Sequence, residues 1–151
     1  MRILVSACLL GVACRYDGKS KPHDGVLALQ HRHQLIPVCG EVFGGLPTPR
    51  TPAERVGNRV CTRDGRDVTA EYIRGAEEVL ALAKRMDCTV ALLKERSPSC
   101  GNGEIYDGTF SATLIPGYGV TAQLLRDHGI AVFGESQLPA LEAYLAREET
   151  L

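Results

Sequence analysis

Four short apolar runs recur along the chain with helical-period segments between them, and this alternation sets the class of fold open to it. Ile3-Leu4-Val5-Ser6-Ala7-Cys8 is nearly continuous in apolar character, the pattern of a strand buried on both faces of a parallel sheet. Leu35-Ile36-Pro37-Val38-Cys39 reads alike, with Pro37 keeping it short. Thr89-Val90-Ala91-Leu92-Leu93-Lys94 is the strongest strand, and Ile130-Ala131-Val132-Phe133-Gly134 is the fourth. Between the second and third lies the clearest helix. Thr69 is expected to cap it, Glu71 falls in its first turn, and Ile73, Ala76, Leu80 and Ala83 form its apolar stripe before Lys84 and Arg85. A second helix is predicted from Gly119 to His128, with Leu124 and Leu125 inward and Gly129 as a left-handed stop. A third carries Leu138, Leu141, Tyr144 and Leu145 after Pro139, and a weaker pattern covers Gly25 to His33. Strands alternating with helices imply right-handed crossovers. The expected fold is therefore a three-layer α/β single domain over residues 1–151, Rossmann-like or flavodoxin-like, with a mostly parallel sheet and helices on both faces. The Gly/Pro-rich stretch Gly44 to Pro52 reads as a loop within it.

Charge narrows the partners. Lys and Arg total 17 against 18 for Asp and Glu, a net charge of −1, so no overall field draws the chain to nucleic acid or to anionic lipid. No apolar run approaches the roughly 18–20 residues that span a bilayer. Met1-Arg2-Ile3-Leu4-Val5-Ser6 enters a strand pattern directly, without the features of a signal peptide. The expected location is cytoplasmic, where six cysteines are poor material for structural disulfides and better read as ligands, catalysts or small buried hydrophobes.

Three of those cysteines fall where α/β sheets gather ligands, outside the carboxyl ends of the strands. Cys8 closes the first predicted strand, Cys39 closes the second, and Cys100 follows the third across Ser97-Pro98-Ser99. Each is followed by glycine within a few residues (Gly11, Gly40, Gly101), which lets backbone approach a bulky ligand. Three thiolates without histidine in these segments suit an iron–sulfur cluster with one open iron. Three protein ligands plus water on zinc is the alternative. Cys14 lies close enough to Cys8 in sequence to reach the same pocket, as a ligand or a spare thiol. Cys61 and Cys88 read as structural, and His23, His31, His33 and His128 show no ligand spacing.

Taken in order, the blocks Ser6-Ala7-Cys8-Leu9-Leu10-Gly11, Cys14-Arg15-Tyr16-Asp17-Gly18, Pro37-Val38-Cys39-Gly40-Glu41, Gly44-Gly45-Leu46-Pro47-Thr48-Pro49-Arg50 and Leu93-Lys94-Glu95-Arg96-Ser97-Pro98-Ser99-Cys100-Gly101 resemble the thiouracil desulfidase (TudS) family. Gly40 departs from the proline usual there. The resemblance implies a [4Fe–4S] cluster held by Cys8, Cys39 and Cys100, with the fourth iron open to the thiocarbonyl sulfur of a thiolated nucleobase such as 2-thiouracil. Water then replaces the sulfur without redox change, and the sulfur leaves as hydrosulfide. Glu41 and Ser97 are the residues it implies for proton transfer and hydrogen bonding to developing charge. The implied partner is a small molecule, with no nucleic acid and no membrane.

Simpler readings stand beside these. Glu41 also reads as a turn cap, and Ser97 and Ser99 as turn residues around Pro98. Arg50, Arg55, Arg63 and Arg66 read first as a solvated loop face and second as groups that meet the substrate. Residues 101–118, with a strand-like Ser111–Ile115, are a candidate lid. In place of an enzyme, the same cysteines would serve a noncatalytic Fe–S or zinc-binding sulfur carrier or redox sensor.

Overall fold

A computed structural model describes residues 1–149. In chain order it contains β1 (Arg2–Ser6), α1 (Asp24–Leu27), β2 (Gln34–Val38), α2 (Gly40–Phe43), β3 (Ala53–Val56), β4 (Arg59–Thr62), α3 (Thr69–Arg85), β5 (Val90–Leu93), β6 (Asn102–Tyr106), β7 (Leu114–Tyr118), α4 (Val120–Asp127), β8 (Ala131–Gly134) and α5 (Leu138–Glu149). The main sheet runs β2-β1-β5-β8, every pair parallel, with Leu4 opposite both Ile36 and Ala91, and Leu92 opposite both Val5 and Phe133. All four residues of β5 are fully buried, because successive side chains enter different layers. Leu4, Ala91 and Leu93 pack with Val79, Leu80 and Ala83 of α3 and with Ala122 and Leu125 of α4. Ile3, Val5, Val90 and Leu92 pack with Val26, Leu29, Leu141 and Leu145 on the other face. Each fully buried Leu or Ile contributes about 1.5–3 kcal/mol. Two-sided burial is why the strands read as unbroken apolar runs.

The strand order places the functional crevice. From β1 the chain moves to one neighbour, β2, and later to the other, β5, so connections leave the carboxyl ends of β1 and β5 in opposite directions and open a gap between them. Ser6 Oγ accepts the backbone N–H of Lys94 at 2.8 Å and ties the two strand ends together.

Several local expectations need correction. In the α3 stripe Ala76, Leu80 and Ala83 are buried as expected, but Ile73 is 45% exposed, and Tyr72 and Val79 complete the inward face instead. Gly75 joins them because a Cβ there would overlap the carbonyl oxygen of Gly40. Thr69 does not cap α3. Asp67 Oδ1 accepts both its N–H, at 2.9 Å, and its hydroxyl, at 2.6 Å, while Thr69 Oγ1 accepts the N–H of Val60 at 2.9 Å. Over 25–33, α1 passes into a 3-10 turn at Ala28–His31. The arginine-rich middle folds as an antiparallel hairpin, β3–β4. The candidate lid is a second hairpin, β6–β7, whose return strand begins at Leu114 rather than Ser111. Among the described residues no helix is long and apolar enough to cross a membrane.

Candidate active site

A cavity of about 690 Å³ opens at the carboxyl rim of the sheet, and Cys8, Cys14, Cys39, Glu41, Ser97 and Cys100 all line it. The strand ends and the turns that leave them put those side chains there. β1 stops at Ser6, two residues earlier than the apolar run indicates, and Cys8 sits in the 3-10 turn Ala7–Leu10. Cys39 follows β2 directly and begins the single helical turn α2, which carries Glu41. After β5, the Ser97–Cys100 turn is closed by the N–H of Gly101 donating to the Ser97 carbonyl at 2.8 Å. All six cysteines are free thiols. Cys61 and Cys88 lie outside the cavity lining, Cys88 packing among core residues beside α3 and β5.

Glu41 is held from one side. Its Oε2 is 3.5 Å from the Arg50 guanidinium and 3.5 Å from the Tyr72 hydroxyl, which donates to it. Its Oε1 accepts from the Cys39 thiol, at 3.9 Å. One oxygen is thus held by Arg50 and Tyr72, and the residue lines the cavity. Arg50 is deeply engaged: it also donates to the carbonyls of Cys14 at 3.0 Å and Pro47 at 3.3 Å, and to Thr48 Oγ1. Its side chain is 7% exposed, which corrects its assignment to a solvated face. Arg55 is likewise tied to the carbonyls of Tyr118 and Gly57, and Arg63 lies 5.6 Å over the Phe110 ring at the outer wall. Tyr72 was not among the residues singled out from the sequence. Its signal was its place one turn before Ala76 on the buried side of α3, obscured by the reading of its neighbour Ile73 as core.

Ser97 both shapes the turn and faces the cavity. Its Oγ accepts the N–H groups of Ser99 at 3.0 Å and Cys100 at 3.1 Å. A hydroxyl has two lone pairs and one proton, so both acceptor positions are taken and the proton is what remains to give. Accepting two bonds also polarises the O–H and makes it a better donor.

Burial and neighbours push three of the cavity thiols up. Cys39 is raised far above its ordinary value by its bond to the Cys14 thiol, by burial and by the Glu41 charge. Burial, then Glu41, push Cys100 up to about 12. At Cys14 the Cys39 bond lowers the pKa, but the Cys8 bond and burial outweigh it. Burial first, and Glu41 second, drive Tyr72 upward as well. Thiolates here need positive charge brought into the cavity, and a bound metal supplies that while releasing the thiol protons. The donor set fits such a group: soft sulfurs from separate loops, backbone at close range, and space for a ligand. Among the described residues no three His, Cys, Asp or Glu side chains close on a single ion.

The outer wall is made by the hairpins. Phe110, Ser111 and Ala112 from the β6–β7 loop and Ala53, Glu54 and Arg63 from the β3–β4 region face the sheet rim across the cavity. Glu54 Oε1 accepts the N–H groups of Gly108 at 2.9 Å and Phe110 at 3.1 Å, which fastens one hairpin to the other.

The sequence matches the 2-thiouracil desulfurase family over residues 3–137. A Bacillus subtilis (strain 168) relative, the uncharacterised protein YbbK, is 42% identical over 146 residues, which covers 90% of this chain and 97% of the relative. The solved structure of the [4Fe–4S]-dependent thiouracil desulfidase TudS is 52% identical and superposes with a TM-score of 0.92, over 96% of this chain and 97% of that one.

Proposed function

The chain belongs to the 2-thiouracil desulfurase family, and from that premise we propose that it is a [4Fe–4S]-dependent desulfidase that removes sulfur from a thiolated nucleobase such as 2-thiouracil in the cytoplasm. The observation that carries this reading is the meeting of Cys8, Cys39, Cys100, Glu41 and Ser97, distant in sequence, on one cavity. Cys8, Cys39 and Cys100 would hold the cluster, each from a different loop. Three soft thiolates without a histidine among them favour a cluster over zinc. When bound, a cluster with three protein ligands supplies an open iron, a soft Lewis acid suited to a thiocarbonyl sulfur.

The remaining work falls to the chain. The net change is hydrolytic: a C=S bond and one water become a C=O bond and hydrogen sulfide, with no electron gained or lost. Glu41 Oε1 takes a proton from the attacking water and returns one to the departing sulfur, while Arg50 and Tyr72 keep its carboxylate aimed from the Oε2 side. The Ser97 hydroxyl, with both lone pairs occupied, donates to charge that develops on the substrate. The hairpin wall limits entry of bulk water and presents Phe110 toward a planar ring. One experiment tests the assignment: anaerobically reconstituted protein is given 2-thiouracil in isotopically labelled water. The reading expects free sulfide and uracil carrying one labelled oxygen. Uracil without label, or no uracil, contradicts it.

A further inference from the structure

The loop that carries Phe110 is wrapped around a side chain from the other hairpin. Gly108, Phe110 and Ala112 have φ of +95°, +57° and +60°, so alternate residues are left-handed. Such a run turns the N–H groups of every second residue to one side and makes a concavity for an anion. The Glu54 carboxylate fills it, its Oε1 accepting the N–H of Gly108 at 2.9 Å and that of Phe110 at 3.1 Å. The next two residues of β3 grip the same hairpin elsewhere. Arg55 donates to the Tyr118 carbonyl at 2.7 Å, and Val56 packs where a Cβ on Gly108 would overlap it. The loop closes its own base, with the Asp107 N–H donating to the Thr113 carbonyl at 3.0 Å. Left-handed backbone is strained for a residue as bulky as phenylalanine and persists where surrounding contacts impose it. The contact at the N–H of Phe110 itself is Glu54. The Phe110 ring lines the cavity, and the Arg63 guanidinium lies over it, 5.6 Å from the centroid.

We propose that Glu54 is a positioning residue for substrate recognition: its carboxylate moulds the 108–112 loop so that Phe110 stands as a fixed stacking platform, which selects thiolated rings that are planar. This rests on the desulfidase reading and adds to it the shape of ring that is accepted. Stacking on an aromatic face needs a flat π-system. A thiolated pyrimidine saturated at C5 and C6 is puckered and loses that contact while keeping the same thiocarbonyl and N–H groups. The platform therefore discriminates at a bond remote from the reacting carbon.

The test follows sulfide release from 2-thiouracil, with 5,6-dihydro-2-thiouracil as competitor, in the reconstituted holoprotein and in Glu54→Ala, Glu54→Gln, Phe110→Ala and the Glu54→Ala/Phe110→Ala double variant, each assayed for iron. In the parent, the inhibition constant of the dihydro compound is expected to exceed the KM for 2-thiouracil about fivefold. Glu54→Ala, at full iron content, raises that KM about fivefold with kcat nearly unchanged and erases the preference for the flat ring. Glu54→Gln retains the preference, because an amide oxygen accepts the same two N–H bonds. The double variant is no worse than Phe110→Ala, as two residues acting through one ring require. A fully loaded Glu54→Ala protein that keeps the parent preference overturns the proposal, as does a double variant whose losses multiply. Loss of iron in Glu54→Ala makes the residue structural and overturns it too. A parent that holds both compounds equally well overturns it without any variant. A parent that releases no sulfide from 2-thiouracil overturns the desulfidase reading instead.

Discussion

Cys8, Cys39 and Cys100 sit within a few residues of strands whose side chains are buried in two cores, whereas Arg63 and Phe110 hang on two-stranded hairpins across the cavity. The first wall inherits its geometry from a parallel sheet with little freedom to shift. The second is kept by a smaller cluster of Leu46, Val60, Val68 and Tyr72 and by Glu54 holding the far loop. The difference teaches a division of labour. On the proposed function, groups that must meet within ångströms stand on the frame, and groups that would screen and admit substrate stand on parts that adjust at little cost.

The sharpest way to break that division is to remove a sulfur. Cys8→Ser, Cys39→Ser or Cys100→Ser is expected to abolish both cluster content and sulfide release, while Cys14→Ser keeps its iron. An iron assay of the four purified variants decides it, and activity retained at Cys39→Ser with loss at Cys14→Ser would move the ligand. Next come the groups proposed to handle protons. Glu41→Gln should lower kcat by about 10²–10⁴-fold, and Ser97→Ala by about 10²–10³-fold, each at full iron content. Equal loss of iron and rate would make them structural.

A smaller effect joins frame to site. A methyl at Gly75 would collide with the Gly40 carbonyl, so Gly75→Ala is expected to cost about 1–3 kcal/mol of stability and to displace α2, which carries Glu41. Denaturant unfolding measures the first consequence, and a fall in kcat the second. For the hairpin wall the expectation reverses. Phe110→Ala should raise KM by less than about tenfold with kcat nearly unchanged, and a collapse of kcat would put that wall in the chemistry.

The smallest effect lies behind the rim. Burial raises the Glu135 pKa, but its bonds to Lys94, 2.8 Å away, and to the Glu95 N–H outweigh it and hold the group below 4.5. A carboxyl lowered on folding stabilises above its unfolded pKa and loses that contribution as pH falls through the folded value. Glu135→Gln should therefore lower the melting temperature slightly at neutral pH and flatten its decline below about pH 4.5. A parent and variant with parallel acid limbs would contradict this.

How much of this was legible in the chain follows the same division. β1 and β5 announce themselves because burial on both faces demands unbroken apolar runs, and their ends place Cys8 two residues beyond β1 and Cys100 in the turn seven residues beyond β5. The β3–β4 hairpin escaped because Glu54, Arg55 and Arg59 interrupt it and only Val60 of its eight residues is fully buried. Its one local sign is Gly57-Asn58, a hairpin turn with Gly57 at φ +58°. The stripe of α3 was right at Ala76, Leu80 and Ala83 and misled only at its start, because Ile73 looks more like core than Gly75, and the need for a bare backbone at Gly75 arises only when α2 arrives against it. Arg50 is the same lesson in charge. Its partners, Glu41 and Cys14, lie 9 and 36 residues away in sequence, and no local pattern pairs them.

The most direct measurement is the iron and acid-labile sulfide content of protein purified without oxygen, read together with its visible spectrum. The account predicts about four irons and four sulfides per chain, a brown protein, and loss of both colour and iron when any one of Cys8, Cys39 or Cys100 is replaced. A colourless protein that stays free of iron through anaerobic reconstitution, or one that holds a single zinc, would contradict it.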